Sequence, residues 1–493
     1  MSSDRRVVVV GGGLAGITAA LDCADAGAPV TLLEVRRRLG GAAYSFEREG
    51  LHMDNGQHVF LRCCVAYREL LRRLGSEHRI RLQERLEIPV LKPGAATVTL
   101  RRSSLPAPLH LAGALARYRH LTPAQRLGAA RAALALARLQ PDARAAEEPT
   151  FGEWLARHGQ NAAAVSALWD LIALPTLNIR AAQASLALSA FVFRTGLLSS
   201  AGAGDIGFHE ATLGETIGTP AERALEQAGV ELRLGWRAER LARSAGAIEV
   251  GGRGARASGE DEDLPAGAGA AREELDAVNA DAVILAVPHT RAAVLLEPLL
   301  GEAAAPIARI ESSPIVNLHL VYDRPVLEHP FAAGVGTPVQ YLFDRTHAAG
   351  APAGTQYLAV SLSGAEREMQ MSVPALRERY EPALRELLPR AREAKLETFL
   401  ATREHAATFR ASPGVGARRP AAQTGVPGLV LAGAWTDTGW PATLEGAVLS
   451  GHSAASAALR ELGIERSDAV QAIAGGEPRG ADSAVGAPAA VSR

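Results

Sequence analysis

The chain opens on four consecutive valines, Val7–Val10, followed at once by Gly11-Gly12-Gly13-Leu14-Ala15-Gly16. A short run that is apolar at every position suits a parallel strand covered on both faces. The glycines then meet three separate demands. Gly11 permits the tight turn off the strand, Gly13 lets the backbone approach a diphosphate, and Gly16 lets the next helix pack closely. That helix is predicted from Leu14 to Ala26, with Gly27 ending it. Its first turn, with Leu14, Ala15 and Gly16, offers free N–H groups and partial positive charge to an anion. Val30–Glu34 is the next strand, and Glu34 stands 18 residues beyond Gly16. An acid there accepts hydrogen bonds from an adenosine ribose and repels a 2'-phosphate. Together these residues predict a Rossmann-like unit that binds a dinucleotide.

The rest of the chain must then supply what the nucleotide serves. At 493 residues and 47% hydrophobic content it is long enough for two or three domains with a large core. A formal net charge of -1 gives no footing for nucleic acid. Three cysteines do not make a disulfide framework, and Cys63 and Cys64 have no matching Cys/His cluster, so no metal site is expected. No signal peptide and no run of the ~18 apolar residues that a membrane span needs is evident, so a cytoplasmic setting is the default reading.

Along the chain, Thr122-Pro123-Ala-Gln125 reads as a helix start, with Thr as N-cap, Pro at the first helical position and Gln three residues on. In that helix, continuing to Leu139, Leu127 and Leu134 share a face with Arg131 and Arg138. This is not a clean amphipathic stripe, and packing between domains is expected of it rather than a membrane surface. A helix over 219–228 leads into a strand ending at Leu234. Residues 251–275 read as a flexible surface insertion. Ala282–Val287 is a buried strand stopped by Pro288, and Ile315–Tyr322 is a strand of a second sheet. Pro374–Leu388 is helical, and 463–493 reads as a disordered tail. His289 and His319 are expected to be structural.

Two further signatures accompany the first. Arg36 to Arg38 lead into Leu39-Gly40-Gly41-Ala42, a second close glycine turn just past the ribose acid, which is an FAD trait. Near the other end runs Leu431-Ala-Gly-Ala434-Trp435-Thr-Asp437-Thr-Gly-Trp440-Pro-Ala-Thr443-Leu444-Glu445-Gly446-Ala447. With these strings the sequence resembles the FAD-dependent amine oxidase and phytoene desaturase superfamily. Asp54-Asn-Gly56-Gln57-His58 sits where that superfamily runs beneath the flavin ring. This string and the closing one are similar to those of one branch, the hydroxysqualene dehydroxylases, also called squalene-associated FAD-dependent desaturases.

The resemblance implies an α/β amine oxidase-like flavoprotein of two domains. A Rossmann-like FAD-binding domain would be assembled from 1–60, 211–300 and 416–462, with an α+β substrate domain from 61–210 and 301–415 inserted in it. It implies non-covalent FAD held by the two glycine turns, by Glu34, Val35 and Arg36, by Gly56 and Gln57, by Ala238 against the adenine, and by 434–435 and 443–447. Ala42 stands where relatives usually carry a diphosphate-binding Arg, so Arg36 or Arg38 is expected to supply the charge. Ala434 stands where an acid usually meets the ribityl chain, with Asp437 as its substitute.

The implied reaction is reductive removal of an allylic hydroxyl from hydroxysqualene, with His58 as candidate acid and Trp435 or Trp440 facing the developing cation. The implied partners are a long-chain isoprenoid substrate, an electron donor that the sequence does not identify, and a peripheral membrane contact at the inner face. A carotenoid-type desaturase is the alternative. An amine or protoporphyrinogen oxidase fits less well, because such amine oxidases commonly keep a lysine on the strand matching 313–322 and this chain has none. A nucleotide-binding escort protein without redox chemistry would not need both flavin-facing motifs.

Overall fold

The computed structural model describes residues 5–140, 148–244, 246–254 and 276–465. Its centre is the valine run. Val7 and Val9 enter one apolar cluster and Val8 and Val10 another, as the two-residue period of a strand covered on both faces requires. The strand Val7–Val10 lies in the middle of a five-stranded parallel sheet, in the order Glu231–Leu234, Val30–Glu34, Val7–Val10, Ala282–Leu285, Leu429–Leu431. Val9 pairs with Leu32 on one side and Ile284 on the other.

One face of this sheet carries the helices Leu14–Asp25, Thr219–Gln227 and Leu444–Glu461. The other carries an antiparallel meander, Trp236–Ser244, Ala247–Gly254 and Asp276–Ala280, with the helix His289–Leu300. The helices of the two glycine-bearing signatures pack directly on each other. A Cβ at Gly451 would stand 2.4 Å from the Ala15 carbonyl oxygen, so a glycine is what allows this approach. Asp22 and His452 are joined by a buried 2.7 Å contact across the same crossing.

A second, mixed sheet has seven strands, in the order Leu396–Phe409, Ser312–Tyr322, Gln356–Ser363, Tyr341–Asp344, Phe331–Gly334, Glu87–Leu91, Val98–Arg101. Ser312–Tyr322 is paired with Leu396–Phe409 on one side and, from Ile315 onward, with Gln356–Ser363 on the other, and is buried at nearly every position. The helix Val373–Leu387 covers this sheet's core. The chain is therefore an α/β protein with a parallel nucleotide-type sheet and a second, largely antiparallel sheet.

Two expectations are corrected. Residues 251–254, read as part of a flexible insertion, instead complete the strand Ala247–Gly254 and pair with both neighbours or one of them. The remainder of that insertion, 255–275, and the tail from 466 onward lie outside the described residues. The helix Pro123–Arg138 has the expected Thr122/Gln125 capping box, but Leu127 and Leu134 do not pack between domains; they are 54% and 48% exposed. Ala129, Ala132 and Leu136 are buried instead. Burying Leu127 and Leu134 would drag the guanidinium groups of Arg131 and Arg138 into the core, and the alanine face avoids that cost.

Candidate active site

The first glycine turn forms a cradle closed by backbone. A Cβ at Gly16 would lie 1.8 Å from the Gly11 carbonyl oxygen. Gly13 is the N-cap of the helix Leu14–Asp25 in extended conformation, with no side chain over the helix N-terminus. The second turn lies against it: Gly40 N donates to Gly12 O at 2.9 Å, and a Cβ at Gly41 would come within 2.7 Å of Gly13 Cα. Glu34 is buried at the strand end, where its carboxylate accepts from Gly12 N (2.6 Å) and Arg36 N (2.8 Å). Burial pushes its pKa up against these donors. Val35 is partly exposed beside it. This bare helix end, lined by glycine and flanked by a buried acid, fits a dinucleotide diphosphate and ribose.

Arg38 lies beside the second turn. Its guanidinium stacks 3.6 Å over the Tyr44 ring and reaches the Gly41 carbonyl at 3.4 Å. Arg36 uses its backbone, donating to Glu34 and accepting from Gly235 N. Ala42 gives its carbonyl to Asn55 Nδ2 at 3.0 Å. On the meander, Ala238 O accepts from Arg291 at 2.9 Å, beside a bulge that separates Ala238 from Arg240.

The string Asp54–His58 joins the segment after the second glycine turn to the second sheet. Asp54 is buried and accepts from Ser45 Oγ and Leu213 N through one oxygen, and from Arg345 at 2.9 Å through the other. The Asn55 carbonyl accepts from Asn317 Nδ2 (2.7 Å) and Thr402 Oγ1 (3.3 Å). Asn317 is 1% exposed, and a Cβ at Gly56 would stand 3.2 Å from its Nδ2. So the centre of Ser312–Tyr322 presents an amide to this loop. Gln57 and His58 are half-buried.

His58 Nδ1 lies 3.1 Å from the Gly56 carbonyl. Because a carbonyl only accepts, Nδ1 carries the hydrogen and a neutral ring keeps its lone pair on Nε2. Burial lowers the His58 pKa, while Asp54 and Glu404 pull it up. The His58 carbonyl is held by His209 Nδ1 at 2.9 Å, and His209 Nε2 accepts from Tyr67 at 2.7 Å. Desolvation keeps His209 neutral, with its pKa near 3.

The closing signature divides into two parts. Trp435 is 5% exposed, its indole N–H bonded to Val287 O at 2.9 Å and its ring in the core. Trp440 is half-buried and meets Phe191 edge-on at 5.2 Å. Ala434 offers its carbonyl to the buried Arg419. Asp437 is exposed and accepts from Gly439 N within its own turn. Thr443 caps the helix Leu444–Glu461 by accepting from Gly446 N, and Leu444 and Ala447 are half-buried in its first turn. Glu445 points away, to Ala66 N and Tyr67 N of the helix Val65–Arg73.

Sequence reasoning brought these two signatures to one place but missed their supports: Arg345, Asn317, Thr402, Arg419 and His209. None lies in a motif: strand register places Asn317, Thr402 and His209, and Arg345 and Arg419 come from turns beside the strands. The histidines expected to be structural are both bonded: His319 to Tyr357 (2.6 Å) and Thr402 (3.0 Å), and His289 to Ser312 (3.3 Å).

The sequence model of the flavin containing amine oxidoreductases matches residues 14–459. The chain is 29% identical over 468 residues to a hydroxysqualene dehydroxylase of Sinorhizobium fredii, covering 93% of this chain and 99% of that one. It is 24% identical to a zeta-carotene desaturase of Synechocystis, covering 92% and 97%. The solved cyclohexylamine oxidase of Brevibacterium oxydans superposes with a TM-score of 0.65 at 17% identity, covering 93% and 100%, a likeness of fold.

Proposed function

For a chain that belongs to the flavin containing amine oxidoreductases, we propose the reductive dehydroxylation of hydroxysqualene to squalene, with non-covalent FAD as cofactor. The end-to-end likeness to the Sinorhizobium fredii dehydroxylase carries this reading. Reduced FAD supplies the hydride that replaces the allylic hydroxyl. The Gly13 turn and the first turn of Leu14–Asp25 bind the diphosphate, with Arg38 as the nearby cation in place of an Arg at Ala42. Glu34 binds the adenosine ribose. Asp54–His58, clamped by Asn317, Thr402 and Arg345, supports the flavin ring rigidly. Segments 1–60, 211–300 and 416–462 make up the FAD-binding domain, and 61–210 and 301–415 the substrate-binding domain.

Loss of the hydroxyl as water needs a proton and shelter for positive charge. His58 is the proposed donor. Its carboxylate neighbours Asp54 and Glu404 favour the imidazolium, while burial sets its working range below pH 6.5. Trp440, with Phe191 beside it, is better placed than the core-bound Trp435 to face the cation. The protein works in the cytoplasm at the inner face of a membrane, since its substrate is water-insoluble, and takes electrons from a donor outside this chain.

Photoreduced protein mixed anaerobically with hydroxysqualene tests the reading. Return of the oxidised flavin band with one equivalent of squalene is expected. No return overturns it. The zeta-carotene desaturase likeness supports the second reading, hydride running from substrate to cofactor. Bleaching of the oxidised protein by a carotene precursor would establish that instead.

A further inference from the structure

The surface between residues 105 and 138 does not behave like the rest of the exterior. Among the described residues, eight large apolar side chains are markedly exposed, and the four leucines among them all lie here: Leu105, Leu109, Leu127 and Leu134. Leu109 opens the turn into the helix Ala112–Arg117, which packs beside Pro123–Arg138 and receives the Arg126 guanidinium on its Ala116 carbonyl. On Pro123–Arg138, Leu127, Arg131, Leu134 and Arg138 follow at intervals of three and four, so they form one outward stripe.

The charge pattern is as one-sided as the exposure. No Asp or Glu occurs from residue 88 to 141, where the chain's average would place about six, and eight Arg and Lys do. Arg101 and Arg102 are paired with Glu87 and Asp205. Arg117, Arg119, Arg131 and Arg138 are exposed and have no carboxylate partner among the described residues. A protein partner of mixed surface charge gains nothing from an acid-free segment, whereas a sheet of anionic headgroups over hydrocarbon matches both its leucines and its arginines.

We propose that this face, Leu105 to Arg138, seats the protein on an anionic lipid bilayer, with the leucines entering the acyl boundary and the arginines meeting the headgroup phosphates. The proposal deepens the reading of a membrane-derived isoprenoid substrate and gives it a location, but it rests on surface geometry and is tested without substrate.

The test uses the full chain with FAD bound and vesicles of phosphatidylcholine with or without phosphatidylglycerol. The wild type is expected to sediment with phosphatidylglycerol vesicles at low salt and to be released at high salt. Each arginine near such a surface contributes about fivefold in partitioning, so R117Q/R131Q/R138Q should weaken binding by roughly a hundredfold. L127Q/L134Q, which alters exposed positions only, should likewise weaken binding to phosphatidylglycerol vesicles at low salt. Both variants should turn over detergent-dispersed hydroxysqualene as the wild type does; failure of the wild type there would strike the functional reading and leave the vesicle result standing. A wild type that ignores anionic vesicles, or variants that bind them undiminished, overturns the proposal. So does a change of oligomeric state in the variants with unchanged vesicle binding, which would make the face a contact between copies.

Discussion

Glu445 belongs to the closing signature, yet its carboxylate serves another helix. It is 3% exposed and accepts from Ala66 N (3.0 Å) and Tyr67 N (2.8 Å), the first turn of Val65–Arg73. Burial raises its pKa from the ordinary 4.5 to about 7, against these N–H groups and the charge of His452. A raised carboxyl pKa means that the folded chain holds the proton more tightly than the unfolded one. The stability that Glu445 contributes is therefore full below pH 4.5 and is lost as pH rises through about 7. At about 1.4 kcal/mol per tenfold change in proton affinity, the whole loss is roughly 3 kcal/mol, of which about 2.5 falls between pH 5 and 8. Glu445→Gln keeps the shape and cannot ionise. Urea unfolding of both proteins with saturating FAD should show their stability difference moving about 2.5 kcal/mol in favour of the variant from pH 5 to pH 8. A constant offset from the amide cancels in that comparison. A difference that stays level across the range would refute the reasoning, since it would mean that Glu445 is ionised throughout and that the helix N–H groups outweigh burial.

Other outcomes follow from the same geometry. Gly16→Ala puts a methyl 1.8 Å from a carbonyl oxygen; overpacking of about 1–3 kcal/mol or more should appear as loss of FAD binding by fluorescence titration, and retained affinity would contradict the cradle. Glu34→Ala removes the acceptor for Gly12 N and Arg36 N and should weaken FAD at least about tenfold, one charged hydrogen bond being worth about 1.5–3 kcal/mol. Arg345→Met strands the buried Asp54 carboxylate; a loss of about 3–5 kcal/mol in unfolding free energy is expected, and a near-neutral result would show that Ser45 and Leu213 suffice. If His58 donates the proton, the single-turnover rate should fall as pH rises through an apparent pKa below 6.5. A flat profile from pH 5 to 8, or His58→Ala with wild-type rates and FAD still bound, removes that role.

Much of the nucleotide half was legible because its determinants are local. The helix Leu14–Asp25 and the strands Val7–Val10 and Val30–Glu34 stand where glycine spacing and apolar runs put them. The capping box at Thr122 was equally readable, being contained in four residues. The outward face of that helix was not. Its wheel showed leucine and arginine together, but whether they meet protein or solvent depends on which neighbour arrives, and the alanine face won the packing.

The sequence by itself determined that a phosphate-binding turn must form, that its acid follows at strand distance, and that a second flavin-type string closes the chain. Steric limits on backbone conformation and the period of a strand act over a few residues, so pattern alone carries them. Only the tertiary structure decided what holds the Asp54–His58 loop. Asn317, Arg345 and Thr402 lie hundreds of residues away and reach it through the register of the second sheet. It also set the Glu445 carboxylate on the first turn of a distant helix. Such pairings are fixed when burial leaves a polar group no water and the nearest partner must serve, and that condition exists only once the chain has folded.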